Sequence, residues 1–549
     1  MNICLINPPV NQHYAPLDIP LQLLLLATAL RDAGQNSHII DFNLLTKYDP
    51  HFPLSNRFFE SALEYISSYE PNLLGITCIS STAPFALEIA RQYKEKAPEC
   101  KILLGGPHAT LLHDRVLQRY PFIDMVCRGE GEYTLPQILS NWEHMEAVAG
   151  LSYRVSVERI ALNPNREMIR DLDQIPIPDY DLIDIRQYKK IVPPISLHIE
   201  VGRGCPYSCT YCSTSLVWGR IFRLKSVPRV IAEIVQTSEK TGTKSIHFIH
   251  DLFSLNKEWV FELCEALTSI DMGITWGCDT RVDAVNSKLL TKMAKSGCKH
   301  IFFGIESGSK RIQKKMRKDI DLDDSVKTIA ESMGCGMNTT AAFILGYPSE
   351  TLDELNETFE YISLLCMLGL SGLVINTYMP EYGTESYQSC KENLDLNSYM
   401  VKKDLPFVTE RILEIIEGDQ EVFSHFYYPG GGNYDYQILL QLITVLPFST
   451  ALPLFKDAHF CLSDRRTIDV FLEFYPFIES SLRFDEYQNI RYEKEKFYEG
   501  VSSYLGYLHE TYNIQTDKMS VDRNELYKLL AMLSEHSMIK ERNVKKGNH

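Results

Sequence analysis

Long apolar runs are missing from this 549-residue sequence. No stretch reaches the roughly eighteen consecutive apolar residues that a membrane-spanning helix needs, so no membrane span is expected. Positive charge is also in short supply. The 55 Lys and Arg against 71 Asp and Glu leave a formal charge of −16 with His neutral. That balance disfavours a broad phosphate-binding surface, so no nucleic-acid partner is expected. The one basic cluster, the tail IKERNVKKGNH, reads as a solvated end. The opening MNICLINPPV is apolar but short and lacks a basic leader, so a signal peptide is not expected there. A disulfide framework is absent too. The 14 cysteines are scattered, and most, such as Cys4, Cys78, Cys264, Cys335 and Cys366, lie in apolar runs where a thiol acts as a small hydrophobe. A reducing cytoplasm fits that usage. There is no internal repeat.

What the sequence does have is core material and rhythm. Its length alone implies about three or four domains, and 45% hydrophobic residues are enough for sizeable cores. Over residues 1–145, short β-rich runs (NICLINPP, SHIIDFN, LLGITCIS, KILLGGP, DMVCRGE) alternate with amphipathic stretches such as LQLLLLATALRDAGQ and APFALEIARQYKEKAPE. Apolar strands joined by crossover helices predict an α/β fold with a doubly wound, Rossmann-like parallel sheet. Its ligand rim falls at the carboxyl ends of the strands: NPPVN, DFN, CISSTAP, GGPHAT and RGEGE. Residues 146–190 read as a small hairpin and a Pro- and Asp-rich extended linker. Over 191–394 the alternation resumes with six strand candidates, from SLHIEVGRG to GLVINTYMP, predicting a six-stranded partial (β/α)6 barrel with chemistry at its C-terminal mouth. Residues 395–549 form a C-terminal, mainly helical domain. Within it, YYPGGGN lacks the preceding strand and the following Lys-Ser/Thr of a phosphate loop and reads as a flexible turn.

The chemistry concentrates in VGRGCPYSCTYCSTS, where Cys205, Cys209 and Cys212 have the spacing C-x3-C-x2-C directly after the first barrel strand. Three thiolates so close hold zinc or an iron–sulfur cluster, or are a coincidental triplet. A structural zinc site normally closes with four protein ligands, usually as two pairs, and no second pair follows here. A cubane on three cysteines leaves one iron open, as direct binding of a substrate or cofactor requires. The cluster is the favoured reading.

GCPYSCTYC resembles the signature of the radical S-adenosylmethionine (SAM) superfamily, and GIESG and GYPSETLDE further along support it. NPP, GITCISST, LLGGPHAT and RGEGE are similar to the N-terminal domain of cobalamin-binding radical SAM enzymes, so the resemblance spans roughly residues 1–390. It implies a [4Fe-4S] cluster on Cys205, Cys209 and Cys212 with SAM on the fourth iron. Tyr211 would lean on the adenine, or pack at the loop base. Glu306 and Ser307 would bind the ribose or methionine groups of SAM, or end a strand in solvent. Arg281 would meet the SAM carboxylate or the substrate, or form a surface ion pair. Ser80, Ser81 and Thr82 would hold the cobalamin nucleotide tail, or cap the next helix. Gly105 and Gly106 would let the backbone approach the corrin. Glu130 and Glu132 would accept from corrin amides or cap a helix. Three features depart from the family. The D-x-H-x-x-G box is absent, so base-off cobalamin without a histidine from that box is implied, and His108 is grouped with the rim residues. The usual Gly-Gly-Glu after the second barrel strand is replaced by HDLF, and MPEYGT stands for the usual Pro-Gly-Thr turn.

The implied activity is C-methylation of an unactivated carbon. A deoxyadenosyl radical would remove hydrogen, methylcobalamin would deliver the methyl group, and a second SAM would restore it. Rearrangement, cyclisation or oxidation, with cobalamin in another role or absent, is the enzymatic alternative. A metal-stabilised binding protein without turnover is the third. Expected partners are a small-molecule, lipid or peptide substrate and an external electron donor such as flavodoxin or ferredoxin.

Overall fold

The structure is a computed structural model. It describes residues 1–11, 18–191, 196–432, 434–445, 466–479, 482–484, 490–492 and 494–512. The basic tail and Asn433 of YYPGGGN lie outside the described residues.

The first sheet is built from β1 (Ile3–Asn7), β2 (Ser37–Asp41), β3 (Leu73–Thr77), β4 (Lys101–Gly105), β5 (Met125–Cys127), β6 (Leu151–Ser156) and β7 (Arg159–Leu162). Their order is β2-β1-β3-β4-β5-β6-β7. β1 to β5 pair in parallel, with Ile3 opposite both Ser37 and Leu73 and Leu73 opposite Lys101. β1 and β3 are apolar along both faces because helices cover both sides. The predicted hairpin is β6–β7, and it extends the sheet antiparallel from β5. Strand order reverses between β1 and β3, so a crevice opens at their carboxyl ends. The loops there carry NPP, CISSTAP and GGPHAT.

Eight further strands follow: β8 (Leu197–Glu200), β9 (Gly202–Arg203), β10 (Arg223–Leu224), β11 (Ser245–Ile249), β12 (Thr275–Thr280), β13 (Cys298–Glu306), β14 (Asn338–Leu345) and β15 (Gly372–Thr377). Six have the order β15-β14-β13-β12-β11-β8, and β9 and β10 form a separate antiparallel ribbon. The β-α alternation comes with explicit helix signals. Ser226 caps Val227–Thr241, which Gly242 ends in the left-handed region, and Thr351 and Glu354 form a capping box for Leu352–Met367.

The chain divides into two compact units, Met1–His300 with Met379–Pro429, and Ile301–Tyr378 with the part from Gly430 on. In the first unit, residues 379–429 return to the N-terminal sheet. Val401, Leu405, Ile412, Ile416 and Phe423 join one core with Phe58, Phe59 and Phe85, and Phe407 sits edge-on to Phe85 at 4.9 Å. In the second unit β14 and β15 pair in parallel. There the helix Thr467–Glu479 docks on Leu352–Met367, with Phe471 5.4 Å from Phe359 and the Ile468 N–H donating to Asn356 at 3.0 Å. Among the described residues no helix is long and apolar enough to cross a membrane.

Candidate functional site

The cysteine loop leaves the end of β8 and is shaped by Gly204. This residue has φ +88°, and a Cβ there would overlap the Ile221 carbonyl oxygen. Only glycine meets both conditions. The Gly204 N–H donates to Asp251 at 2.7 Å, and the Thr214 hydroxyl reaches the same carboxylate at 3.3 Å. Asp251 is the Asp of HDLF, so this departure from the family motif braces the loop. At the far side, the carbonyl of Thr210 accepts from both the N–H and the hydroxyl of Ser386, each at 3.0 Å.

The thiols of Cys205, Cys209 and Cys212 are half-buried and free of disulfides. Burial raises the Cys205 pKa most, and Cys212 and Cys209 raise it further, so the three thiols are close neighbours. Yet among the described residues no three His, Cys, Asp or Glu side chains converge as a single metal ion requires.

Around the loop, Tyr211 stands half-buried between Cys209 and Cys212. Arg281 is buried; it pairs with Asp283 at 2.9 and 2.8 Å and lies 4.0 Å from the centre of the Tyr207 ring. Beneath the loop is a buried ionic group. Arg203, 4% exposed, donates to Glu200 at 3.0 and 2.8 Å, to Glu130 at 2.8 Å and to Glu132. Arg223 donates to the same Glu130 oxygen at 2.8 Å, and the other accepts from the Ile169 N–H at 2.6 Å. Trp218 lies against both guanidiniums, at 5.5 and 5.9 Å. Glu130 is the N-cap residue of Gly131–Ser140, but its side chain makes no cap bond. Its carboxylate, like that of Glu132, ties the RGEGE loop of the first sheet to the ribbon that carries the cysteines.

At the rim of the first sheet, a Cβ on Gly105 would meet nothing within 4 Å, which leaves room for a bulky ligand over the backbone. Gly106 has φ +96°, and its Cβ would stand 2.7 Å from the Cys78 carbonyl oxygen, so glycine is needed there for the contact between strand ends. Thr82 turns its hydroxyl back to Ile79 and does not cap its helix, and Ser81 is half-buried beside it. Ser80 donates to Glu381 at 2.8 Å and lies 3.4 Å from Nδ1 of His108, whose pKa burial lowers to about 4. Glu381, from MPEYGT, also meets Nδ1 of His425 at 2.8 Å, and Nε2 of His425 meets Asp404 at 2.5 Å.

Burial alone would lower the His425 pKa, but the two carboxylates outweigh it and raise it to about 10. A raised folded-state pKa stabilises fully below the ordinary histidine value of about 6.5 and loses that contribution as pH rises toward 10. Thermal unfolding of wild type and His425→Gln should therefore show a gap, on the order of a few kcal/mol near pH 6, that narrows toward pH 10. A gap independent of pH would count against a buried imidazolium.

In the second unit, Glu306 has φ +73° and pairs with Lys318 at 2.8 Å. A non-glycine residue in that region is strained, as residues at ligand sites often are. Ser307 is fully buried, sharing a 3.2 Å hydrogen bond with Thr358 and accepting from the Ser309 N–H. The sequence reading missed Arg203, Arg223, Asp251, Glu381 and His425. Only the two motif departures, HDLF and MPEYGT, marked any of them.

A family model of the radical SAM superfamily matches residues 199–362, and one of the B12 binding domain matches residues 13–139. An uncharacterized methyltransferase of Pyrococcus horikoshii is 33% identical over 310 residues, covering 56% of this chain and 67% of that protein. The anaerobic magnesium-protoporphyrin IX monomethyl ester cyclase of Rubrivivax gelatinosus is 27% identical over 308 residues, covering 54% of this chain and 55% of that one. Among solved structures, the cobalamin-dependent S-adenosylmethionine radical enzyme OxsB with aqua-cobalamin bound aligns at a TM-score of 0.62 with 16% identity. That alignment covers 99% of this chain and 80% of OxsB.

Proposed function

The chain belongs to the radical SAM enzymes that carry a B12 binding domain, and on that premise we propose that it is a C-methyltransferase acting on an unactivated carbon. The observation that carries the reading is the half-exposed thiol triplet, held in one compact unit with a B12-type sheet and tied to it through Arg203. The more similar relative is named a methyltransferase, which favours methylation. The cyclase relative supports a second reading, radical ring closure.

When bound, the cluster with SAM supplies a carbon-centred radical and cobalamin supplies a transferable methyl group. The protein's part is to hold and shield. Cys205, Cys209 and Cys212 hold the cluster, and Asp251 and Ser386 fix their loop. Tyr211 and Arg281, on and beside that loop, would meet SAM. Ser80, Ser81, Thr82, Gly105, Gly106 and His108 bound the space for the corrin, while Glu130 and Glu132 set the adjoining loop. The substrate is a small molecule, electrons come from a flavodoxin or ferredoxin, and the setting is the reducing cytoplasm that a thiolate-held cluster favours.

The test is the fate of SAM labelled at its methyl group, in an anaerobic incubation of reconstituted protein with reductant and a small-molecule extract of the producing cells. Methyl transfer should use two SAM per turnover, giving S-adenosylhomocysteine and 5′-deoxyadenosine in about equal amounts, with label in a methylated substrate product as well as in the methionine that SAM cleavage releases. Deoxyadenosine without homocysteine product or label transfer would replace methylation by the cyclisation reading.

A further inference from the structure

A parallel sheet covered by helices is normally apolar on both faces. The strands β8, β11 and β12 obey this on one face only, where Leu197, Ile199, Ile246, Phe248, Trp276 and Cys278 are each at most 2% exposed. The other face carries the part-exposed polar side chains His198, His247 and Asp279. His247 pairs in register with His198 on one side and Gly277 on the other, so all three lie side by side on that face. Gly277 leaves space for its neighbours: a Cβ there would stand 3.2 Å from Nδ1 of His247 and 3.0 Å from the Cβ of His300.

The two imidazoles have ring centres 5.9 Å apart. Each is flanked by a carboxylate, with Nε2 of His198 3.6 Å from Asp18 and Nε2 of His247 3.2 Å from Asp279. The result is a row Asp18–His198–His247–Asp279 across three strands. Its side chains are 44, 24, 28 and 52% exposed in that order, so a ligand can reach them. Among the described residues neither carboxylate has a Lys or Arg partner. Burial, the largest influence on His198, lowers its pKa and favours the neutral ring. Burial likewise raises the Asp18 pKa. The row offers hydrogen-bonding groups along its length and no Lys or Arg to receive an anion, and a hydrocarbon would strand its polar atoms without partners.

We infer that this row binds the polar end of the substrate, and that the substrate is an amino- and hydroxyl-bearing small molecule, with its amine toward Asp18 or Asp279. This rests on the enzymatic reading above. D-glucosamine is the probe and glucose 6-phosphate its anionic counterpart, each measured by equilibrium dialysis against the anaerobically reconstituted full chain. Glucosamine should bind saturably and glucose 6-phosphate should not. Whichever of Asp18→Asn and Asp279→Asn removes the partner of the amine should weaken glucosamine about tenfold, the scale of one lost charge-assisted hydrogen bond. His247→Gln gives a second route should either variant fold poorly. Equal or tighter binding of glucose 6-phosphate, no saturable glucosamine binding, or binding unmoved by all three substitutions would overturn the inference. Iron, sulfide and corrinoid content of the same samples tests the enzymatic reading separately.

Discussion

Replacing Cys205, Cys209 and Cys212 together by Ala should abolish iron–sulfur absorbance near ~400 nm and reduce bound iron from about four per chain to background after anaerobic reconstitution. The effect should be complete, because these three thiols are neighbours on one loop and are half-exposed where a cluster can be delivered. The other thiols are poor substitutes. Cys264 is fully buried, and burial pushes its pKa up to about 11, so it holds its proton at neutral pH. Cys298 is 1% exposed within β13, and Cys335 belongs to the second unit. Ala at Cys264, Cys298 or Cys335 should therefore leave iron and sulfide unchanged. A triple variant that keeps its full cluster would move the metal site elsewhere and remove the basis for radical chemistry at this loop.

Arg203→Met should destabilise the first unit by about 3–5 kcal/mol, the usual cost of removing one partner from a buried ion pair. Glu130 would keep Arg223 and the Ile169 N–H, so the damage should concentrate on Glu132 and Glu200. Arg203 holds the Glu200 pKa below the ordinary carboxylate value against the effect of burial. A depressed carboxylate pKa stabilises above the unfolded value and loses that contribution as pH falls through the folded one. The gap between wild type and variant should accordingly be wide at pH 8 and shrink on acidification, as the orphaned carboxylates take up protons. Arg203→Lys keeps the charge without the planar fork and should fall between them. Hydrogen exchange at residues 129–133 and 199–204 would locate the loosening, and loss confined to either segment would show that the two are not coupled through Arg203. A Met variant as stable as wild type across this range would mean that the ionic group has no role in holding the cysteine ribbon to the first sheet.

Local pattern made part of this protein legible before any tertiary contact was known. The β-α alternation is a property of runs of five to fifteen residues, because a helix and a strand repeat their apolar positions at different periods. The cysteine triplet is local too: three thiols within eight residues need no fold to be seen. Sequence pattern alone thus determined the α/β architecture, and the resemblance carried by GCPYSCTYC pointed to the kind of cofactor chemistry.

Tertiary structure decided the rest, because partners far apart in the chain meet only through packing and strand register. Glu130 lies 73 residues from Arg203 and 93 from Arg223, and nothing local distinguishes those carboxylates from corrin ligands or helix caps. Ser80 meets Glu381 across 301 residues, since residues 379–429 fold back onto the first sheet to bury Ile412 and Phe423. The row from Asp18 to Asp279 draws on four separate segments and depends on register, where a shift of one residue would turn His247 to the opposite face. Short-range periodicity carries which residues are strands and helices. It does not carry which strand lies beside which, and that adjacency decides where these carboxylates and imidazoles meet.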